Sequence, residues 1–424
     1  MQKAIHFFYL LLIIFVVGIS LTRSVIPIND PDELVRSFTR KIEFDYTNWT
    51  IDALNLKNTQ GALVLPRYIP DEKQKEIVLQ NLMITGEIEK TEQKIEELYA
   101  EPDNSNSDKV AQPYKKYLSQ LMEYQSKLGP LAEAILEQQV SSTLANLDLS
   151  LAGQPVPPPL FHTTPLPKAL IISPRNIIRQ DQNISLTADQ SIDEIIQLEN
   201  SVEQDLDVSA LVVSIGGVGV YPTMILSSTD LSWLTEVIAH EWVHNYLTLR
   251  PLGLNYETSQ DLRTINETVA SIAGKEIGKA LLEKYYPEHL PPAPPDELIP
   301  QPAEIRPKIE DSTPPPFDFR KEMRITREAT DRLLEGGKIK EAEVYMEERR
   351  QFLWENGYQI RKLNQAYFAF HGAYADETGG AAGDDPVGEA VRQLRSQSTS
   401  LADFINKASW IISYDQLVKI NTGD

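Results

Sequence analysis

Two histidines and a glutamate stand together in His240-Glu241-Trp242-Val243-His244, inside a stretch that reads as a helix. Positions four apart share one helix face, so both imidazoles can address a single metal ion. Glu241 is then placed to take a proton from a water held beside that ion. The bland alternative is a helix carrying two surface or core histidines. A zinc site needs a third protein ligand and keeps its fourth position open. Glu267 is the candidate. It lies in a second helical segment in which Val269, Ile272, Ala273 and Ile277 recur near the helical period. The intervening residues 250–258 contain Pro251, Gly253 and Asn255 and read as a loop. Helix, loop and helix would return Glu267 to the two histidines.

H-E-x-x-H followed by Asn266-Glu267-Thr268-Val269-Ala270 resembles the gluzincins, zinc peptidases with two histidine ligands and one glutamate ligand. The pattern is most similar to predicted bacterial zinc aminopeptidases with H-E-x-x-H and then Asn-Glu-[Ser/Thr]-x-Ala. Leu363-Asn364-Gln365-Ala366 followed by Tyr374 is similar to a second block of that group. The similarity covers roughly residues 209–280 and 360–417. It implies His240, His244 and Glu267 as Zn2+ ligands, Glu241 as general base and Tyr374 as a residue of the site. It also implies a zincin-like core: a small sheet, an active-site helix and a glutamate helix. Thermolysin-like gluzincins carry an aspartate four residues after the glutamate ligand. Here that position is Ser271, so hydrogen bonding behind the ligands must differ, and Asn266 and Ser271 become the residues to watch.

The rest of the chain narrows the function. Its 424 residues carry 40 basic and 61 acidic side chains, a formal charge of −21, which argues against a nucleic-acid partner. Cysteine is absent, excluding disulfides, thiolate ligands and a cysteine nucleophile. Residues 4–22 are apolar and carry no formal charge. That length suits a bilayer span, and no small-residue cleavage site follows it. An uncleaved anchor is therefore expected over a cleaved signal. The expected location is the bacterial cell membrane, single-pass, with the catalytic part extracytoplasmic.

The elements that must position the site fall into five stretches: an anchor over 1–24, a helical hairpin region and linker over 25–160, a zinc-binding core over 161–290, a proline-rich surface insertion over 291–316, and a helical subdomain over 317–424. The fold class expected is α+β and mostly helical, with helical N- and C-terminal regions. Residues 31–70 show no clear element. Asp71–Tyr99 and Val110–Leu149 have helical periodicity and suggest an antiparallel hairpin, a candidate surface for a protein partner. Short strands are expected at Lys168–Ser173, Ile177–Arg179 and Ala210–Ile215. The last runs into Gly216-Gly217-Val218-Gly219, where glycines would let an extended peptide approach; a turn or bulge is the competing reading. Ser227–Asp230 offers N-cap types for the H-E-x-x-H helix. A helix over Arg361–Tyr374 would put Tyr367, His371 and Tyr374 on one face.

The expected function is a membrane-anchored zinc peptidase acting on a peptide or protein substrate. Glu241 serves as base, and Tyr374, then His371, are the candidate oxyanion donors. An aminopeptidase must also bind a free ammonium, for which Glu236, Glu257 and Glu276 are available. A zinc endopeptidase is the near alternative, and a non-catalytic zinc- or peptide-binding scaffold the distant one.

Overall fold

The structure, a computed structural model, describes residues 31–63, 65–100, 107–291, 317–377 and 379–423. The anchor expected at 1–24 and nearly all of the proline-rich insertion lie outside them. Among the described residues no helix is long and apolar enough to cross a membrane. That finding runs against the expected single-pass membrane protein, and the segment the expectation stood on, residues 4–22, lies outside the described residues.

The chain is mostly helical, with two small sheets. The helices are α1 (Pro31–Thr39), α2 (Tyr46–Leu63), α3 (Asp71–Ala100) and α4 (Ser107–Asn146). Strands β1 (Phe161–Thr163), β2 (Lys168–Pro174) and β3 (Gln182–Leu186) precede α5 (Ile192–Leu206). Then come β4 (Val208–Ser214), β5 (Gly217–Val218), β6 (Thr223–Ile225), α6 (Leu231–Leu247), α7 (Pro251–Leu254) and α8 (Gln260–Tyr285). Helices α9 (Phe319–Glu335), α10 (Ile339–Glu355), α11 (Gln365–His371), α12 (Pro386–Gln397), α13 (Leu401–Ala408) and α14 (Tyr414–Thr422) complete the chain.

One sheet is antiparallel, in the order β3-β2-β4. Its central strand reads Lys168-Ala169-Leu170-Ile171-Ile172-Ser173-Pro174 and is buried on both faces. Leu170 and Ile172 pack with Val35, Ile195 and Val202 on α1 and α5. Ala169 and Ile171 face Ala366 and Phe370. An apolar run without alternation is what a strand covered on both sides requires. The second sheet has the order β1-β6-β5, with β1 parallel and β5 antiparallel to β6.

Helices α6 and α8 lie in the largest core, with the root of the α3–α4 hairpin and with α12 to α14. Ile135, Leu136, Val140 and Leu144 of α4 therefore share one core with Ile238, Trp242 and Val243 of α6. Asp230 caps α6 by accepting from the backbone N–H groups of Ser232 and Trp233. Ser259 caps α8 by accepting from Leu262 N–H. The two helices meet closely because α8 has glycines where they touch. A Cβ on Gly274 would stand 3.0 Å from the Glu236 carbonyl oxygen and 3.0 Å from His240 Cβ. One on Gly278 would stand 3.0 Å from Glu236 N. These contacts also set direction: residue number rises along α6 as it falls along α8.

Three local expectations differ. Ile177–Arg179 is loop, and the strand comes later at β3, whose polar Gln182 and Asn183 hid it. The helix expected over 361–374 is confined to α11, capped at its start by Asn364. Residues 31–70 carry α1 and α2, where no element was expected.

Candidate metal centre

His240, His244 and Glu267 come together, with one ligand atom from each within 4.8 Å of the others. The histidines project from α6 one turn apart, and Glu267 reaches them from α8. Nε2 of His240 and Nε2 of His244 are 3.0 Å apart. Oε2 of Glu267 is 3.6 Å from the first and 3.5 Å from the second. Donors about 2.0–2.1 Å from one tetrahedral ion stand about 3.3 Å from each other. The triangle has that size.

Charge and hydrogen bonding agree with a cation at its centre. Glu267 Oε2 is buried without a hydrogen-bond partner, a costly state for a carboxylate oxygen. Burial would raise the Glu267 carboxyl, but His244 and His240 hold it well below the ordinary range. Burial would likewise lower His244, yet Glu267 outweighs it and lifts the imidazole to about 9. A buried carboxylate thus demands positive charge between two imidazoles, and a proton or a metal ion can supply it. The group therefore fits a metal ion.

The surroundings orient the ligands. Asn266 Oδ1 lies 2.8 Å from His244 Nδ1, which makes Nδ1–H the donor and leaves Nε2 toward Glu267. Tyr256 donates a short hydrogen bond to Glu267 Oε1, leaving Oε2 for the centre. Arg263, itself buried, bonds through Nη1 to the Ala369 carbonyl and through Nε to the Tyr256 hydroxyl. Ser271 lines the cleft but makes no hydrogen bond with either histidine among the described residues.

The group opens onto a cleft of about 630 Å³. Glu241 faces it, and burial raises its carboxyl. Gly216, Gly217 and Gly219 form its rim, close over α6. A Cβ on Gly217 would lie 2.6 Å from Glu241 Oε1, and one on Gly219 3.0 Å from His244 Cβ. Tyr374 follows the end of α11 and stacks on His240, with ring centroids 6.1 Å apart. It keeps 36% of its surface open, while desolvation followed by the charges of Glu267 and Glu241 raises its phenol well above the usual value.

His371 does not line the cleft. Its ring packs on Tyr367 at 4.3 Å, and burial lowers it to about 4. The shared face expected for Tyr367, His371 and Tyr374 fails because α11 ends at His371.

Sequence reasoning missed Tyr46, Asn183, Ser185, Tyr256 and Arg263, all of which line the cleft. Tyr46 arrives because Glu43 bridges to Leu186 on the edge of β3; its hydroxyl then meets Ser185 Oγ at 2.8 Å. No sequence signal marks that pairing. Tyr256 and Arg263 did carry one: both precede the expected ligand, in the loop and first turn that deliver it.

No protein family, curated protein or solved structure was found to match the chain.

Proposed function

We propose that this protein is a zinc-dependent peptidase. The observation carrying the proposal is the buried triangle of His240 Nε2, His244 Nε2 and the orphaned Glu267 Oε2, with the Glu241 carboxyl facing the same cleft. Two imidazoles and a carboxylate suit zinc. Three protein ligands leave a coordination position open, which favours a catalytic over a structural ion.

A zinc ion held there supplies Lewis acidity, acidifying water and polarising a carbonyl. Glu241 accepts a proton as the water oxygen bonds to the peptide carbonyl carbon. It then delivers that proton to the amine as the C–N bond breaks. Its raised affinity for a proton, caused by burial, suits both halves of that task. Tyr374 stays protonated at neutral pH and donates a hydrogen bond to the oxyanion. Asn266 and Tyr256 keep the ligands oriented. The glycine rim offers backbone at which an extended substrate can lie.

The test is hydrolysis of a peptide pool by the zinc-loaded full chain and its Glu241→Gln variant. Cleavage by the parent and a loss of at least about 100-fold in the variant are expected. Equal activity in both, or none in the parent, would overturn the proposal.

A further inference from the structure

We propose that Arg392 is a positioning residue for Tyr374: it pins the Ala375 carbonyl and so fixes where the phenol stands beside His240. The inference rests on the peptidase reading above.

Tyr374 needs a hold from outside its own helix. Helix α11 ends at His371, so no helical ladder places the residue three positions on. Among the described residues its hydroxyl makes no hydrogen bond. Its ring rests on His240 and Phe370, with centroids 6.1 and 5.9 Å away. A hydroxyl that serves a substrate must stay free in this way, so the backbone has to carry the positioning.

The next residue supplies the hold. Ala375 is buried and engaged on three sides. Its N–H donates to Thr268 Oγ1 at 3.4 Å. Its carbonyl accepts a short hydrogen bond from Arg392 Nη1. Its methyl group faces Gly388, where a Cβ would stand 2.8 Å from the same carbonyl oxygen. Gly388 and Arg392 lie one turn apart on one face of α12. Glu389 Oε2, 2.7 Å from Arg392 Nη2, steadies the guanidinium.

The clamp is tied to the metal group. Thr268 follows Glu267 on α8, and α8 shares the largest core with α12 through Val269, Ala273, Val387 and Val391. Lys275, two turns further along α8, binds Asp376 at 2.7 Å and Glu377 at 2.8 Å. One packed pair of helices thus presents the glutamate ligand and fixes the segment after Tyr374. Of these contacts the guanidinium on the carbonyl is a charge-assisted bond made directly to the backbone. Without it a buried carbonyl is left unpaired, a state the segment relieves by turning, and Tyr374 turns with it.

The test is a double-mutant cycle on the zinc-loaded full chain, with Arg392→Met and Tyr374→Phe. Arg392→Met alone should lower kcat about tenfold or more, with KM and zinc affinity near those of the parent. In the Tyr374→Phe background the same change should cost no more than about twofold. Hydrogen exchange of the amides in residues 373–377 gives a readout independent of activity. It should be about tenfold or more faster in Arg392→Met. If Arg392→Met does not fold, the shorter Arg392→Gln stands in the same cycle. An undiminished kcat, a loss that multiplies fully with that of Tyr374→Phe, or unchanged exchange would overturn the proposal. Cleavage by the parent with unchanged exchange removes the clamp and leaves the peptidase. Faster exchange in the variant of a parent that cleaves nothing leaves the clamp and removes the peptidase.

Discussion

Asn266 Oδ1 and His244 Nδ1 lie 2.8 Å apart, joining the residue before one candidate ligand to the back of another. The contact fixes which nitrogen of His244 faces Glu267. Asn266→Ala should therefore weaken zinc binding about 10- to 100-fold. Competition with a chromophoric chelator measures this, and unchanged affinity would mean that the contact does not orient the ligand.

Gly217 tests the rim. A methyl group there would meet the Glu241 carboxylate, the end of a flexible side chain, so the fold can yield while the base moves. Gly217→Ala should keep zinc affinity near that of the parent and lower kcat about 100-fold. Weaker zinc binding with unchanged kcat would contradict the placement of Glu241.

Gly274→Ala acts differently, because its methyl would meet backbone, at the Glu236 carbonyl and His240 N. The helices must part. A stability loss of about 1–3 kcal/mol is expected, together with weaker zinc binding. Denaturant unfolding with and without zinc reads both effects, and an unaltered midpoint would argue against the close contact.

Acid should expose a second buried cluster. Lys57 Nζ lies 2.6 Å from Glu133 and 2.9 Å from Glu137. Burial would raise Glu133, but Lys57 and then His162 bring it down to about 2. Its folded value lies below its unfolded one, so its contribution is complete above the unfolded pKa and lost as pH falls toward 2. Glu137, which burial raises, partly offsets this. Lys57→Met should flatten the loss of stability below about pH 4.5 and cost about 3–5 kcal/mol at neutral pH. An acid limb as steep as the parent's would exclude Glu133 as its source.

The sequence made the metal group legible because its chemistry is local. H-E-x-x-H puts two ligands on one helix face, and Asp230 marks where that helix starts. The α3–α4 hairpin was equally plain, since its helices are long and periodic. Tyr46 and Ser185 were not legible, because a bridge between distant residues brings them together and neither has a telling neighbour. The helix expected to reach Tyr374 ends at His371, with Gly372 as its cap, an end set by tertiary packing rather than by periodicity.

His240, His244 and Glu267 should hold one zinc ion with a coordination position left open. Zinc content together with X-ray absorption at the zinc edge, on the folded full chain, tests it most directly. One zinc per chain, bound by three protein nitrogen or oxygen donors plus solvent and lost on His240→Ala or Glu267→Ala, is the predicted result. A chain that takes up no zinc, or holds it with four protein ligands, would rule out an open three-ligand centre at these residues.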